Sequence, residues 1–401
     1  MSKSNETTPN VPTLRFAEYT DEWHKYALSD FVTRITRRNK NNESSLPLTI
    51  SAQYGLVDQI TFFNKTVASV DLSGYYLLYN GDFAYNKSYS NDYAWGAVKR
   101  LDKYEKGCLS SLYFVFRPTD KVDSDYLTHY FETNKWHKGI SDIAGEGARN
   151  HGLLNMAVDD YFATKHYLPS LSEQKKIACF LNLITKRIEI QNKIISKYET
   201  LIKGLYTQLQ SKSAKKEYRI CDIVKCHLVG LLSKEDLTEN GSKKCILYGE
   251  LFTTYDEVIN EIKSRTNVDG YISQGNEILF PSSTTVDAMS LIAPSALNEK
   301  GILLGGDMFV LELLPGFNNE YISYYLNTIA KKNLAKYAQG TTIKHLYFEH
   351  IKNVLLYLPD ITIQLSVASK MRKLKTKIQI EKEMLSALQK QKAFLIQSMF
   401  I

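Results

Sequence analysis

Apolar residues return at alternating steps of four and three along two stretches of the chain, and the stretches keep one offset of 190 positions, as from Ile177 to Val367. The first stripe is Ile177, Leu181, Ile184, Ile188, Gln191, Ile195, Tyr198, Ile202, Leu205 and Leu209. The second is Val367, Met371, Leu374, Ile378, Glu381, Leu385, Leu388, Lys392, Leu395 and Met399. Sustained four-three alternation lines its members along one helix seam, the a and d positions of a coiled coil, and an offset held throughout makes the helices copies of one unit. Gln191 and Glu381 interrupt the seam at equivalent places, where a polar group sets register at some cost in stability.

Weaker matches carry the repeat into the segments before each helix. Leu28-Ser29-Asp30-Phe31-Val32 resembles Ile220-Cys221-Asp222-Ile223-Val224, and Tyr167-Leu168-Pro169 matches Tyr357-Leu358-Pro359. Gly81 pairs with Gly275, Gly107 with Gly301, Phe114-Val115 with Phe309-Val310, Tyr126 with Tyr321 and Gly147 with Gly340. Residues between these anchors do not match, as expected of a kept scaffold whose loops diverged for different ligands. The order is then a flexible tail at 1–12, a first domain at 13–168, a helix at 169–212, a second domain at 213–358 and a second helix at 359–401.

The domains read as α+β. Tyr75 to Tyr79, Leu112 to Phe116 and Met308 to Leu311 are strands closed by Gly or Pro turns. Asp125 to Lys138 and Glu320 to Tyr337 read as helices. Ser170 and Glu173 have capping-box spacing at the first long helix, Thr362 is the expected cap of its twin, and Gly204 weakens the end of the first. Each long helix spans about 55–60 Å at a rise of about 1.5 Å per residue. In a parallel pair the second domain would have to carry the chain back along that whole length, whereas in an antiparallel pair the end of one helix already lies beside the start of the other. The expectation is an antiparallel coiled coil acting as a spacer, with a domain at either end.

Composition narrows the ligand only a little. The 401 residues hold 50 Lys plus Arg against 43 Asp plus Glu, a net charge of +7. That balance favours a polyanionic partner and equally suits ordinary solubility. The five cysteines are odd in number and form no CxxC pair, so neither a disulfide framework nor a zinc site is indicated, and a reducing cytoplasm is expected. No apolar run approaches the roughly eighteen residues of a membrane span, and the first residues lack the apolar core of a signal peptide.

Motifs for chemistry are missing. No Pro-Pro dipeptide occurs, which excludes the (Asn/Asp)-Pro-Pro-aromatic loop of an N6-methyltransferase. Asn150 stands at the third glycine of a dinucleotide loop begun by Gly145-Glu146-Gly147, and His345 to His350 is one residue too long for HxxEH and reads as a turn and helix start. No catalytic, cofactor-binding or metal-binding residue is expected in this chain.

Two variable domains, each followed by a long helix entered through Leu-Pro-x-Leu-x-Glu-Gln, resemble the specificity subunit of type I restriction-modification enzymes. The residues that carry the resemblance are Leu168 to Gln174, more loosely Leu358 to Gln364, the opening Pro12-Thr-Leu-Arg-Phe16 with Asp21-Glu-Trp23, and the glycine turns Gly145 to Arg149 and Gly340-Thr341-Thr342. Asp360 and Ile363 depart from the pattern at the second helix start. The resemblance implies a non-catalytic subunit whose target-recognition domains each read half of a bipartite double-stranded DNA site. It implies helices that fix the gap, and two modification subunits that bind along them and methylate adenine N6 with S-adenosylmethionine, flipping the base. Restriction subunits complete such a complex.

Within that frame the candidate DNA contacts are short polar and basic side chains suited to base edges and phosphates. They are Lys87, Ser88 and Tyr89 with their counterparts Ser282, Ser283 and Thr284; then Arg149, Asn150 and His151 with Thr341, Thr342 and Lys344. Arg37, Arg38 and Lys40 read as phosphate contacts or, equally, as a solvated run. A solvated loop is the alternative for each residue of the first group. The rival for the whole chain is a coiled-coil adaptor whose end domains bind proteins.

Overall fold

The computed structural model describes residues 10–65, 67–90, 92–144, 152–212 and 215–401. It divides the chain into two compact units, Met1–Ile194 with Lys382–Ile401, and Ile195–Glu381. The first unit holds a four-stranded antiparallel sheet in the order Val32–Arg34, Phe114–Pro118, Phe83–Asn86, Ala97–Arg100. In the second, Val224–Leu228, Met308–Leu313, Glu277–Pro281 and Ser295–Leu297 follow the same order. The registers also repeat. Val32 faces Pro118 as Val224 faces Leu313, and Tyr85 faces Phe114 as Phe280 faces Phe309. A two-stranded ribbon stands before each long helix, His24–Ala27 against Lys165–Leu168 in one unit and Lys216–Arg219 against Leu355–Leu358 in the other. Of the sequence anchors, Phe114-Val115 with Phe309-Val310 and Tyr167 with Tyr357 are therefore equivalent ladder positions, while Gly147 lies outside the described residues.

Buried aromatic pairs hold the sheets in both units. Phe83 stacks on Phe116 at 5.5 Å and Tyr85 on Tyr161 at 4.7 Å in the first core, and Phe280 stacks on Phe309 at 5.0 Å in the second. Such pairs add about 0.5–1.5 kcal/mol beyond the area they bury. Most of the remaining second core is aliphatic, with Ile278, Leu311 and Leu356 fully buried.

The long helices are Leu171–Lys212 and Ile361–Ser398, and Gly204 does not end the first. In the first unit Ile177, Ala178, Leu181 and Ile184 share one core with Leu395, Ile396, Met399 and Phe400. In the second, Ile202 packs against the core that holds Val367, Ala368 and Met371, and the Lys377 ammonium lies over the Tyr198 ring at 5.7 Å. Within each unit the start of one helix thus meets the end of the other, and the pairing is antiparallel. Gln191 is buried in the seam, while Lys392 leaves it to pair with Glu132 at 3.2 Å.

A device at the helix starts, not foreseen in the sequence, repeats in both units. Gln174 donates from Nε2 to the Pro169 carbonyl (3.0 Å) and accepts at Oε1 from the Asp123 N–H (2.8 Å). Gln364 makes the same two bonds, to Pro359 (2.8 Å) and from Asn318 (3.0 Å). Asp123 and Asn318 in turn cap the helices Ser124–Tyr130 and Asn319–Thr328 by accepting from Tyr126 and Tyr321 N–H groups, both at 2.9 Å. One buried amide side chain thereby ties a long helix to the helix beside it and satisfies backbone groups that burial would otherwise orphan.

Several expectations change. The helix read over Asp125 to Lys138 is two, Ser124–Tyr130 and His137–Ile143, because Thr133 turns its hydroxyl to the Tyr130 carbonyl (2.7 Å) and Trp136 inserts into the core. The helix read over Glu320 to Tyr337 likewise splits into Asn319–Thr328 and Lys331–Ala335. Thr362 lies inside the first turn of its helix, which follows Asp360. Ser170 Oγ accepts from the Glu173 N–H at 3.4 Å, but the Glu173 carboxylate does not return to close a capping box: it is taken by Arg15, at 2.7 and 2.8 Å. Residues 1–9 of the tail lie outside the described residues, and Asn10 is held by the Trp23 N–H at 2.9 Å.

Candidate nucleic-acid interface

Strand Glu277–Pro281 continues through Ser282 into a short strand, Ser283–Thr284, whose partner is Lys344–His345, with Ser283 opposite His345 and Thr284 opposite Lys344. Buried Ser282 anchors this ribbon by donating its N–H to Asp307 O and accepting from the Leu346 N–H, both at 2.8 Å. The hairpin before Leu346 closes through reciprocal Gln339 and His345 backbone bonds of 2.9 and 2.8 Å. Gly340 makes the turn possible. Its φ is +102°, and a Cβ there would stand 2.0 Å from the Ile343 carbonyl oxygen, so no other residue fits this loop as built. Thr341, Thr342 and Ile343 are exposed at the tip.

The first unit repeats the arrangement. Strand Phe83–Asn86 runs on into Lys87-Ser88-Tyr89, Ser88 bridges antiparallel to Leu153, the Tyr89 N–H donates to Gly152 O (3.1 Å) and the Leu154 N–H donates to Lys87 O (3.0 Å). Arg149, Asn150 and His151 lie outside the described residues and directly precede that partner segment. The structure therefore brings Ser282, Ser283 and Thr284 together with Lys344 and the tip residues Thr341 and Thr342, and sets Lys87, Ser88 and Tyr89 against the segment that follows Arg149 to His151.

The basic candidates differ in how free they are. Arg37 pairs with Asp82 at 2.8 Å, donates to Leu77 O at 3.0 Å and lies over the Tyr79 ring at 4.3 Å. Asp82 is fully buried and also holds Arg117 at 2.5 Å, so Arg37 is half of a structural ion pair before it meets any ligand. Arg38 donates to Gly74 O at 2.6 Å and stacks on Tyr76 at 4.3 Å, while Lys40 is exposed. Lys87 lies over the Phe114 ring at 4.7 Å, and burial lowers its pKa from the usual lysine value. Lys344 turns back to donate to Gly340 O at 2.5 Å, closing its own hairpin.

Asp82 has an equivalent that sequence reading missed. Glu277 is fully buried at the same ladder position and accepts from the N–H three residues earlier, Gln274 (3.1 Å), as Asp82 does from Tyr79 (2.8 Å). Its other oxygen accepts from the Tyr271 hydroxyl at 2.8 Å, and burial raises its pKa from the usual carboxylate value. In place of Arg117 the second unit carries Glu312, held by His227 at 2.8 Å. Each unit thus holds a buried acid at this position with different partners, two arginines in the first and a tyrosine hydroxyl in the second.

Among the described residues no group of His, Cys, Asp and Glu is placed to hold a metal ion, and no helix is long and apolar enough to cross a membrane. Residues 212–390 match the model of the Type I restriction modification DNA specificity domain. The fold is similar over nearly the whole chain to the S subunit of a type I restriction-modification system from M. genitalium, at 15% identity, 98% coverage of this chain and 99% of that one, with a TM-score of 0.58. A chain from a structure of complex assembly and conformational transition of the type I R-M system matches at 14% identity, 93% and 96% coverage and a TM-score of 0.54. The resemblance read from the duplicated helices and the family of the matching model are the same: by sequence over the second repeat and by fold over both, the chain resembles the specificity subunits of type I restriction-modification enzymes.

Proposed function

We propose that this chain is the DNA sequence-recognition subunit of a type I restriction-modification complex in the cytoplasm, without catalysis of its own. Each domain reads one half of a bipartite site, and the antiparallel helices set the spacing and dock two modification subunits. Those partners supply S-adenosylmethionine and methylate adenine N6; restriction subunits join them to cleave unmodified DNA. The observation that carries the reading is the repeated ribbon that continues strand Phe83–Asn86 into Lys87 to Tyr89 and strand Glu277–Pro281 into Ser282 to Thr284, equivalent scaffolds of different sequence on which Lys87, Ser88 and Thr284 stay accessible while Ser282 and Ser283 are buried. Two like scaffolds with unlike tips suit two half-sites. Mapping N6-methyladenine in a host that carries this chain and its partners tests the reading: a methylated motif in two parts with a fixed gap is the result expected. Binding to random duplex that is absent at every salt concentration favours the protein-binding adaptor instead, since phosphate neutralisation gives a DNA reader a steep salt dependence.

A further inference from the structure

We propose that the second domain recognises a thymine in its half-site through the aliphatic tip of the 339–345 hairpin, with Ile343 and Val286 placed against the C5 methyl group in the major groove. The proposal rests on the reading of the chain as a DNA-recognition subunit and names a chemical feature of one half-site. Ile343 is 45% exposed and Val286 is 70% exposed, and the ladder that pairs Thr284 with Lys344 brings the segments carrying them to the same end of one ribbon. Thr285, Thr341 and Thr342 are exposed around them.

What the tip lacks is as informative. The tip itself, 284–286 and 340–343, contains no Arg, Lys, Asn or Gln, the side chains that address guanine or adenine bidentately, and Gln339 lies at the hairpin's root, paired through its backbone with His345. Beside the tip, Lys344 has its ammonium on Gly340 O, His345 Nδ1 faces the Tyr347 hydroxyl at 3.3 Å, and Asp287 accepts from the Ser290 N–H at 2.8 Å as the cap of the helix Ala288–Leu291. Methyl groups and hydroxyls remain. Thymine is the base that carries a methyl on its major-groove edge, and apolar contact is how that group is read. The tip is also held in place, because Gly340 folds tightly onto Ile343 O, and buried Leu346 with its bond to Ser282 fixes the hairpin's root. A rigid aliphatic end can register the presence of one methyl group.

Deoxyuridine in place of thymine removes that methyl and nothing else. The full chain in complex with its modification partners is titrated with duplexes in which each thymine of the mapped second half-site is replaced in turn. One replacement should weaken binding about three- to fivefold, the worth of one buried methyl. In Ile343→Ala the same thymine and uracil duplexes should bind alike, with the melting temperature and the uracil response of the first half-site kept as in the parent. A second half-site without thymine, no uracil effect at any of its positions, or a full effect retained in Ile343→Ala overturns the contact. No binding to the mapped duplex at all overturns the DNA-reading function itself, and the contact with it.

Discussion

Replacing Arg15 by alanine leaves Glu173 with a carboxylate that has lost both of its charged contacts. The pair is bidentate, at 2.7 and 2.8 Å, and the side chains are only 13% and 1% exposed. Breaking a buried pair from one side costs about 3–5 kcal/mol, because the remaining charge stays desolvated. Glu173 sits in the first turn of its helix, where the backbone N–H groups return about 0.3–1 kcal/mol to an anion. The net loss expected is therefore about 2–4 kcal/mol. The reverse change, Glu173→Gln, should cost less, since Arg15 keeps its bond to Asp21 O at 2.6 Å and an amide oxygen still accepts from it. Urea unfolding followed by tryptophan fluorescence measures both, and Trp23, Trp95 and Trp136 all belong to the first unit. A loss below about 1 kcal/mol in Arg15→Ala, or an equal loss in Glu173→Gln, refutes the reasoning that an unpaired buried carboxylate dominates.

Three further outcomes follow from named contacts. His166 is buried between the Tyr130 and Thr164 hydroxyls, at 2.8 Å each, and burial lowers its pKa from 6.5 to about 4. The unfolded chain then binds the proton more tightly, so the first unit should lose stability as pH falls through this window; a melting profile that keeps the same acid slope in His166→Asn counts against it. Gln364→Leu leaves the Asn318 N–H without its acceptor and should cost the second unit about 1–3 kcal/mol in chemical unfolding, as Gln174→Leu should cost the first; a neutral result in both removes the latch from the account. Gly340→Ala places a Cβ against Ile343 O and should abolish discrimination at the second half-site while the melting temperature falls little; intact discrimination shows that the hairpin's shape is not read.

The seam and the strands were legible because burial imposes a period on the sequence, and the period survives divergence. The ladder equivalence of Asp82 and Glu277 was not. Gly81 directly precedes Asp82, whereas Asn276, at φ +54°, is inserted between Gly275 and Glu277, so the glycines align one position out of step with the strands. The split of the two short helices was hidden for another reason. Trp136 continues an apolar pattern that looks helical, and only its insertion beside Phe131 and Tyr85 shows that the chain has turned. Glu173 has the spacing of a capping box, and its true partner, Arg15, lies far off in sequence. The Gln174 and Gln364 amides stand in plain view in both helix openings, but a lone glutamine carries no signal until the capped helix beside it is placed. For the candidate interface, residue types suggested the segments, while their pairing into ribbons required the fold.

The claim that two separate readers hang from one repeated scaffold is tested most directly by a chimaera in which 213–358 is replaced by the matching domain of a relative, followed by mapping of N6-methyladenine in a host carrying the partner subunits. Independent sites act additively, so the half-site read by the first domain should persist while the other changes. A chimaera that folds and methylates, yet changes both half-sites together, contradicts the account.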